Sequence, residues 1–273
     1  MGGTRYTLRR ILGDWRFYLL LALLLGLFYF GMVSGFKTEY RYRHFAEVAR
    51  FANVPRQTAR QMGLEGQFET MDEVWEAFVD RPECAEYYYL AALCSWSPAG
   101  TLASILLSFW IVGRSIRGRH ASELLLRGRS RSAVFCQLLI PYWGVSLLFR
   151  WGFFALCFAV MPIRLHHFSP GYFQETAAIW LLLSAADTAF FGFTAIALPA
   201  LAAVCADLGA AALALLLPAS LRRLLPLAVL SDKDLWKTEA FPGTLYAAAA
   251  AAGALLLLSV AGAWLVFRKK DLP

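Results

Sequence analysis

From Phe17 to Phe36 the chain runs without a single charged side chain. A run of about 20 apolar residues is what one helix needs to cross a bilayer. Comparable apolar runs recur to the end of the sequence, each set off by polar or basic residues. Hydrophobic residues make up 59% of the 273 and charged residues only 16%, a balance more apolar than that of a soluble domain. The surplus apolar surface has to face lipid, and in lipid a spanning chain that closes no β-barrel satisfies its backbone as helices. The reading is an all-α polytopic membrane protein with about six transmembrane helices. The first run is longer than the apolar core of a signal peptide and reads as a retained helix.

Residues 1–16 form an interfacial amphipathic helix, with Leu8, Ile11, Leu12 and Trp15 on one face and Arg5, Arg9 and Arg16 on another. Residues 17–36 are the first span and 37–97 a polar, helix-rich outer segment. Residues 98–273 hold five further spans, at about 98–112, 133–161, 176–204, from 208 to the region of Pro218, and 244–267. A short polar break at Cys205, Ala206 and Asp207 separates the fourth span from the fifth. Pro218 and Pro226, with Arg222 and Arg223 between them, break the fifth into an outer re-entrant tract, 218–243.

Arg5, Arg9, Arg10 and Arg16, then Arg114, Arg117, Arg119, Arg127, Arg129 and Arg131, then Arg268, Lys269 and Lys270 fall on alternate connections. These stretches carry few acids, whereas 37–97 mixes both signs. By the positive-inside rule both termini are cytoplasmic, in a multi-pass protein of the cell membrane. The net charge of +7 therefore belongs to loops beside apolar spans, and nucleic acid is not the partner it points to.

Catalytic signatures are missing. No GxxxxGK[ST] phosphate loop, no HExxH and no GxSxG occurs, so neither ATP hydrolysis at such a loop nor protease chemistry of these types is expected of this chain. The adjacent His166 and His167 read as a wet loop. The five cysteines contain no CxxC pair, and no metal site is expected.

Two charges stand inside apolar spans, Arg150 in the third and Asp187 in the fourth. Each isolated charge there costs at least about 2.5–3.5 kcal/mol on insertion scales, which favours an ion pair. Counting residues from the outer helix ends places both at one depth in antiparallel helices. Such a pair either locks two helices or lines a polar pathway.

The segment 114–132, RSIRGRHASELLLRGRSRS, packs a compact apolar ridge, Leu124 to Leu126, among arginines. A short amphipathic helix of this kind suits a groove on a partner protein. The run ASELLLRGRSRSAVFCQLLIPYW resembles the loop after the second span in the type-2 ABC transporter permease family. Glu123, Leu125, Gly128, Ser130 and Arg131 match its order, and the ending WLVFRKKDLP resembles the family's usual finish. The outer segment 37–97 is longer than in the simplest members.

The resemblance implies a permease subunit of an ATP-driven exporter, moving an amphipathic, peptide-like or lipid-like substrate outward. It implies a dimer with a second copy or a homologous permease, surrounded by membrane lipid. ATP and Mg would be held by a separate ABC ATP-binding subunit, with no cofactor on this chain. Coupling to that ATPase would fall to Glu123, Leu124, Leu125, Arg127 and Arg131. The alternative from another class is a membrane sensor or immunity protein whose 37–97 segment binds a ligand without transport.

Cys84 and Cys94 lie together on the expected outer, oxidising side. An unbroken helix would hold their Cα atoms roughly 15 Å apart at about 1.5 Å per residue, whereas a disulfide needs less than about 7 Å. A bridge therefore requires a turn near Tyr87–Tyr89. Non-reducing mass spectrometry separates the alternatives: a linked peptide pair reports the turn, two free thiols the unbroken helix.

Overall fold

The computed structural model describes residues 97–164, 170–222, 225–231 and 243–270, with shorter stretches between residues 9 and 77. Among the described residues the regular structure is helical, with no strand. From residue 97 onward the described helices are, in chain order, α1 (Ser97–Arg117), α2 (His120–Leu126), α3 (Arg131–Arg164), α4 (Pro170–Ala197), α5 (Ala200–Leu216), α6 (Ala219–Arg222), α7 (Pro226–Ser231) and α8 (Gly243–Lys269). Four of them carry stretches long and apolar enough to cross a membrane: Ser97–Arg117, Arg131–Gly152, Ala177–Ala197 and Leu245–Lys269. Most of the first span, nearly all of segment 37–97, Cys84 and Cys94 lie outside the described residues.

Helix α4 is the centre of the bundle, packing against α1, α3, α5, α7 and α8. Its contact with α8 is built from small residues. Ala248, Ala252, Ser259 and Ala263 are buried along one face of α8, while Leu257, Leu258 and Leu265 are exposed on the other. Two apolar helices in lipid gain little from burying leucine against each other, because lipid tails are equally apolar; small side chains let the backbones approach and gain dispersion contact instead. At Gly262 an added Cβ would stand 3.2 Å from the Phe193 ring, and at Gly192 one would stand 3.1 Å from Tyr142.

The structure moves one boundary. Helix α4 ends at Ala197 and α5 begins at Ala200, so the break falls at Leu198–Pro199, and Cys205, Ala206 and Asp207 lie inside α5. Proline cannot donate a backbone hydrogen bond and disfavours helical geometry in the residue before it. A lone aspartate breaks no backbone bond, and Asp207 is buried facing Thr194 of α4. The tract after Pro218 does contain short helices, α6 and α7. Leu227 to Leu230 are buried, with Leu227 and Ala228 clustered against Ala214 of α5.

Near the N-terminus Gly13 and Asp14 are non-helical and stand before the helical residues 15–19. The Asp14 carboxylate accepts from the Arg16 backbone N–H at 3.1 Å and from Arg114 Nη1 at 2.7 Å. The Arg16 bond first, and the Arg114 cation after it, hold its pKa below the usual carboxylate value. Phe17 then turns inward and stacks on Trp110, with centroids 5.7 Å apart. Leu12 and Trp15 remain exposed.

Replacing Ala252, fully buried in the α4–α8 contact, by leucine is expected to lower stability by about 1–3 kcal/mol through overpacking. Leu257→Ala on the exposed face should change it by less than about 0.5 kcal/mol. Thermal unfolding in detergent compares the two.

Candidate functional site

Among the described residues two regions carry chemistry beyond helix packing, one in the middle of the bundle and one at its end. In the middle, Arg150 of α3 and Asp187 of α4 are brought together, with Nη1 and Oδ2 3.3 Å apart and side chains only 4% and 5% exposed. Arg150 also donates from Nε to Ser104 Oγ at 3.0 Å and from Nη2 to Thr101 Oγ1 at 3.3 Å. One guanidinium thus binds α1, α3 and α4 to each other.

Hydroxyls complete the arrangement. Ser104 Oγ donates to the Gly100 carbonyl at 2.9 Å and lies 2.6 Å from Ser146 Oγ, which is 3.3 Å from Thr188 Oγ1. With Ser104 donating to Gly100, the consistent proton order runs from Thr188 to Ser146 to Ser104. The Tyr142 hydroxyl faces the carbonyls of Thr188 at 3.0 Å and Ser104 at 3.3 Å. A buried polar group left without a partner costs about 1–3 kcal/mol, more when charged, so the hydroxyls are what make the pair tolerable there.

Sequence reasoning named Arg150 and Asp187 but missed Thr101, Ser104, Tyr142, Ser146 and Thr188. A signal was present: Ser97, Thr101, Ser104 and Ser108 recur at steps of four, three and four, and Tyr142, Ser146 and Arg150 at steps of four. Such spacing puts each set on one helix face.

At the end of the bundle α1 passes through a π-helical segment, Ser108–Gly113, and reaches a corner at Gly118 and Arg119. Arg119 takes a left-handed φ of 61° and opens α2. Helix α2 closes on Gly128 at φ 78°, with Gly128 N–H donating to the Leu125 carbonyl and Arg129 N–H to that of Leu124. That pair of bonds is the Schellman closure, and its left-handed residue favours glycine. Ser130 then caps α3, its hydroxyl accepting from the Ala133 N–H at 3.3 Å.

This geometry sorts the residues expected to meet a partner. Glu123 and Arg127 are exposed. Leu124 is buried in the chain's own core and Leu125 packs partly against it, while Leu126 stands 87% exposed. The ridge is therefore divided, with Leu124 as anchor and Leu126 as the outward apolar group. Arg131 turns to its own chain and donates to the carbonyls of Arg268 and Lys270.

Among the described residues no group of His, Cys, Asp and Glu is arranged to hold a metal. Comparison with protein-family models, with curated proteins and with solved structures finds no match to this chain.

Arg150→Ala or Asp187→Ala alone should lower stability by about 3–5 kcal/mol, since each strands a buried charge. The double change should cost less than the sum of the two. A double-mutant cycle by denaturant unfolding in detergent measures the difference, and additive losses would refute an energetic pairing.

Proposed function

We propose that this chain is the permease subunit of an ATP-driven exporter of the type-2 ABC kind, with six spans and both termini on the cytoplasmic side of the cell membrane. The observation that carries the reading is α2. It is a capped seven-residue helix between two apolar helices, anchored inward by Leu124 and presenting Glu123, Leu126 and Arg127 outward. A short helix with an apolar tip among charges is suited to a groove in a partner.

In this reading the partner is a separate ATP-binding subunit, which holds ATP and Mg and supplies the phosphate loop that this sequence lacks. Glu123, Leu126 and Arg127 meet the ATPase, while Leu124, Leu125 and Arg131 fix the helix that receives its movement. A second copy or a homologous permease completes a dimer. The substrate is amphipathic, peptide-like or lipid-like and moves outward. The Arg150 network serves as the fixed interior against which the ends move.

Glu123→Arg and Leu126→Asp should each abolish copurification of a tagged ATP-binding subunit, or leave it bound with ATP hydrolysis no longer coupled to transport. Both variants should insert normally, because neither side chain is buried. Wild-type membranes that yield no ATP-binding subunit, or variants that transport at the wild-type rate, would sink the assignment.

A further inference from the structure

Four main-chain oxygens at the α2 end of the bundle are held by three cations from distant parts of the chain. Arg117 Nη2 donates to the Leu198 carbonyl at 3.1 Å and Lys270 Nζ to the Ile196 carbonyl at 2.6 Å. Arg131 Nη1 donates to the carbonyls of Arg268 at 2.7 Å and Lys270 at 3.1 Å. These oxygens belong to the last turns of α4 and α8 and to the residues just beyond, where carbonyls lack intrahelical donors and the helix dipole is negative.

The arrangement closes on itself. Arg117 is the last residue of α1, just before α2, and reaches the α4–α5 turn. Arg131 is the first residue of α3, just after α2, and reaches the end of α8. Lys270, at that end, returns to the last turn of α4, beside the α4–α5 turn. Arg117 is held in place, its guanidinium 5.8 Å from the Phe109 ring centroid and folded over Gly113, where an added Cβ would meet Nη1 at 2.8 Å. Burial first, and then the Arg117 charge, lower the pKa of Lys270, in keeping with two cations set about one helix end.

We infer that Arg117, Arg131 and Lys270 are positioning residues that tie α2 to the α4–α5 turn, so that the two move as one body. The consequence for transport rests on the proposed function, in which α2 receives the ATPase stroke: the stroke reaches α4, α5 and α8 directly rather than through the length of α1 and α3. The tie itself is a property of this chain alone.

The test places spin labels at Arg129→Cys, just past α2 and outside the residues assigned to the ATPase, and at Leu201→Cys, both exposed positions, in the full chain with its native cysteines replaced. The intact ring should give one narrow distance distribution. Arg117→Ala with Arg131→Ala should lose the narrow peak while helical content by circular dichroism is kept. Gly113→Ala, which leaves every charge in place and only displaces the Arg117 head, should broaden it too, and Arg117→Lys should keep it narrow. An unchanged distribution in the double variant would overturn the inference. So would a shift of the wild-type peak on adding nucleotide to a complex with an ATP-binding subunit. If no such subunit binds, the proposed function fails on its own, and the widths in the isolated chain still decide the ring.

Discussion

The Arg150 guanidinium is the interaction on which the described bundle depends. It lies where water is excluded, and its donors go to Asp187, Ser104 and Thr101 on two other helices. A charge in that position stabilises the fold only when its partners are complete, because the desolvation cost of an ion pair rivals the Coulomb gain. What the network supplies is register. Leucine against leucine permits sliding, whereas a fork of donors with fixed acceptors on two helices does not. The depth at which α1, α3 and α4 meet follows from it.

Close packing then follows from that register. With α4 fixed, its other faces accept α8 through alanine, serine and glycine, and Gly192 admits the Tyr142 ring whose hydroxyl joins the same network. The Arg150 donors go to α1 and α4, not to α8. Helix α8 is held along its length by dispersion and at its end by Arg131 and Lys270. Three basic residues at this end act as ligands for helix-end carbonyls.

Much of this is legible in the sequence, and the failures have reasons. Arg150 and Asp187 stand out because charge in an apolar run demands a partner, and counting along antiparallel helices puts them at one level. The serines and threonines around them do not stand out, since hydroxyl residues are common in membrane helices and most bond to their own backbone; only their spacing marks them. The end of α4 was expected at Cys205–Asp207 on polarity, but Pro199 decides it, because a backbone that cannot hydrogen-bond outweighs one polar side chain that can. The apolar ridge of α2 was visible, yet its rotation was not. Leu124 and Leu126, two residues apart, lie on nearly opposite faces, and which one turns inward depends on the corner at Gly118 and Arg119.

That corner is set in turn by the π-helical segment Ser108–Gly113. Helix α1 is fixed at its middle, where Thr101 and Ser104 meet Arg150, and again at its end, where Arg114 meets Asp14 and Arg117 meets Leu198. A regular helix between two such points must satisfy both with one angular phase. The π turn, closed by the Arg114 N–H on the Phe109 carbonyl, takes up an extra residue. One residue is worth about 100° of helical rotation. Without it Arg117 would leave the helix on a different face, away from the α4–α5 turn. The irregular backbone therefore reconciles a polar lock in the membrane interior with a set of helix caps at its edge, and the orientation of α2 results from meeting both.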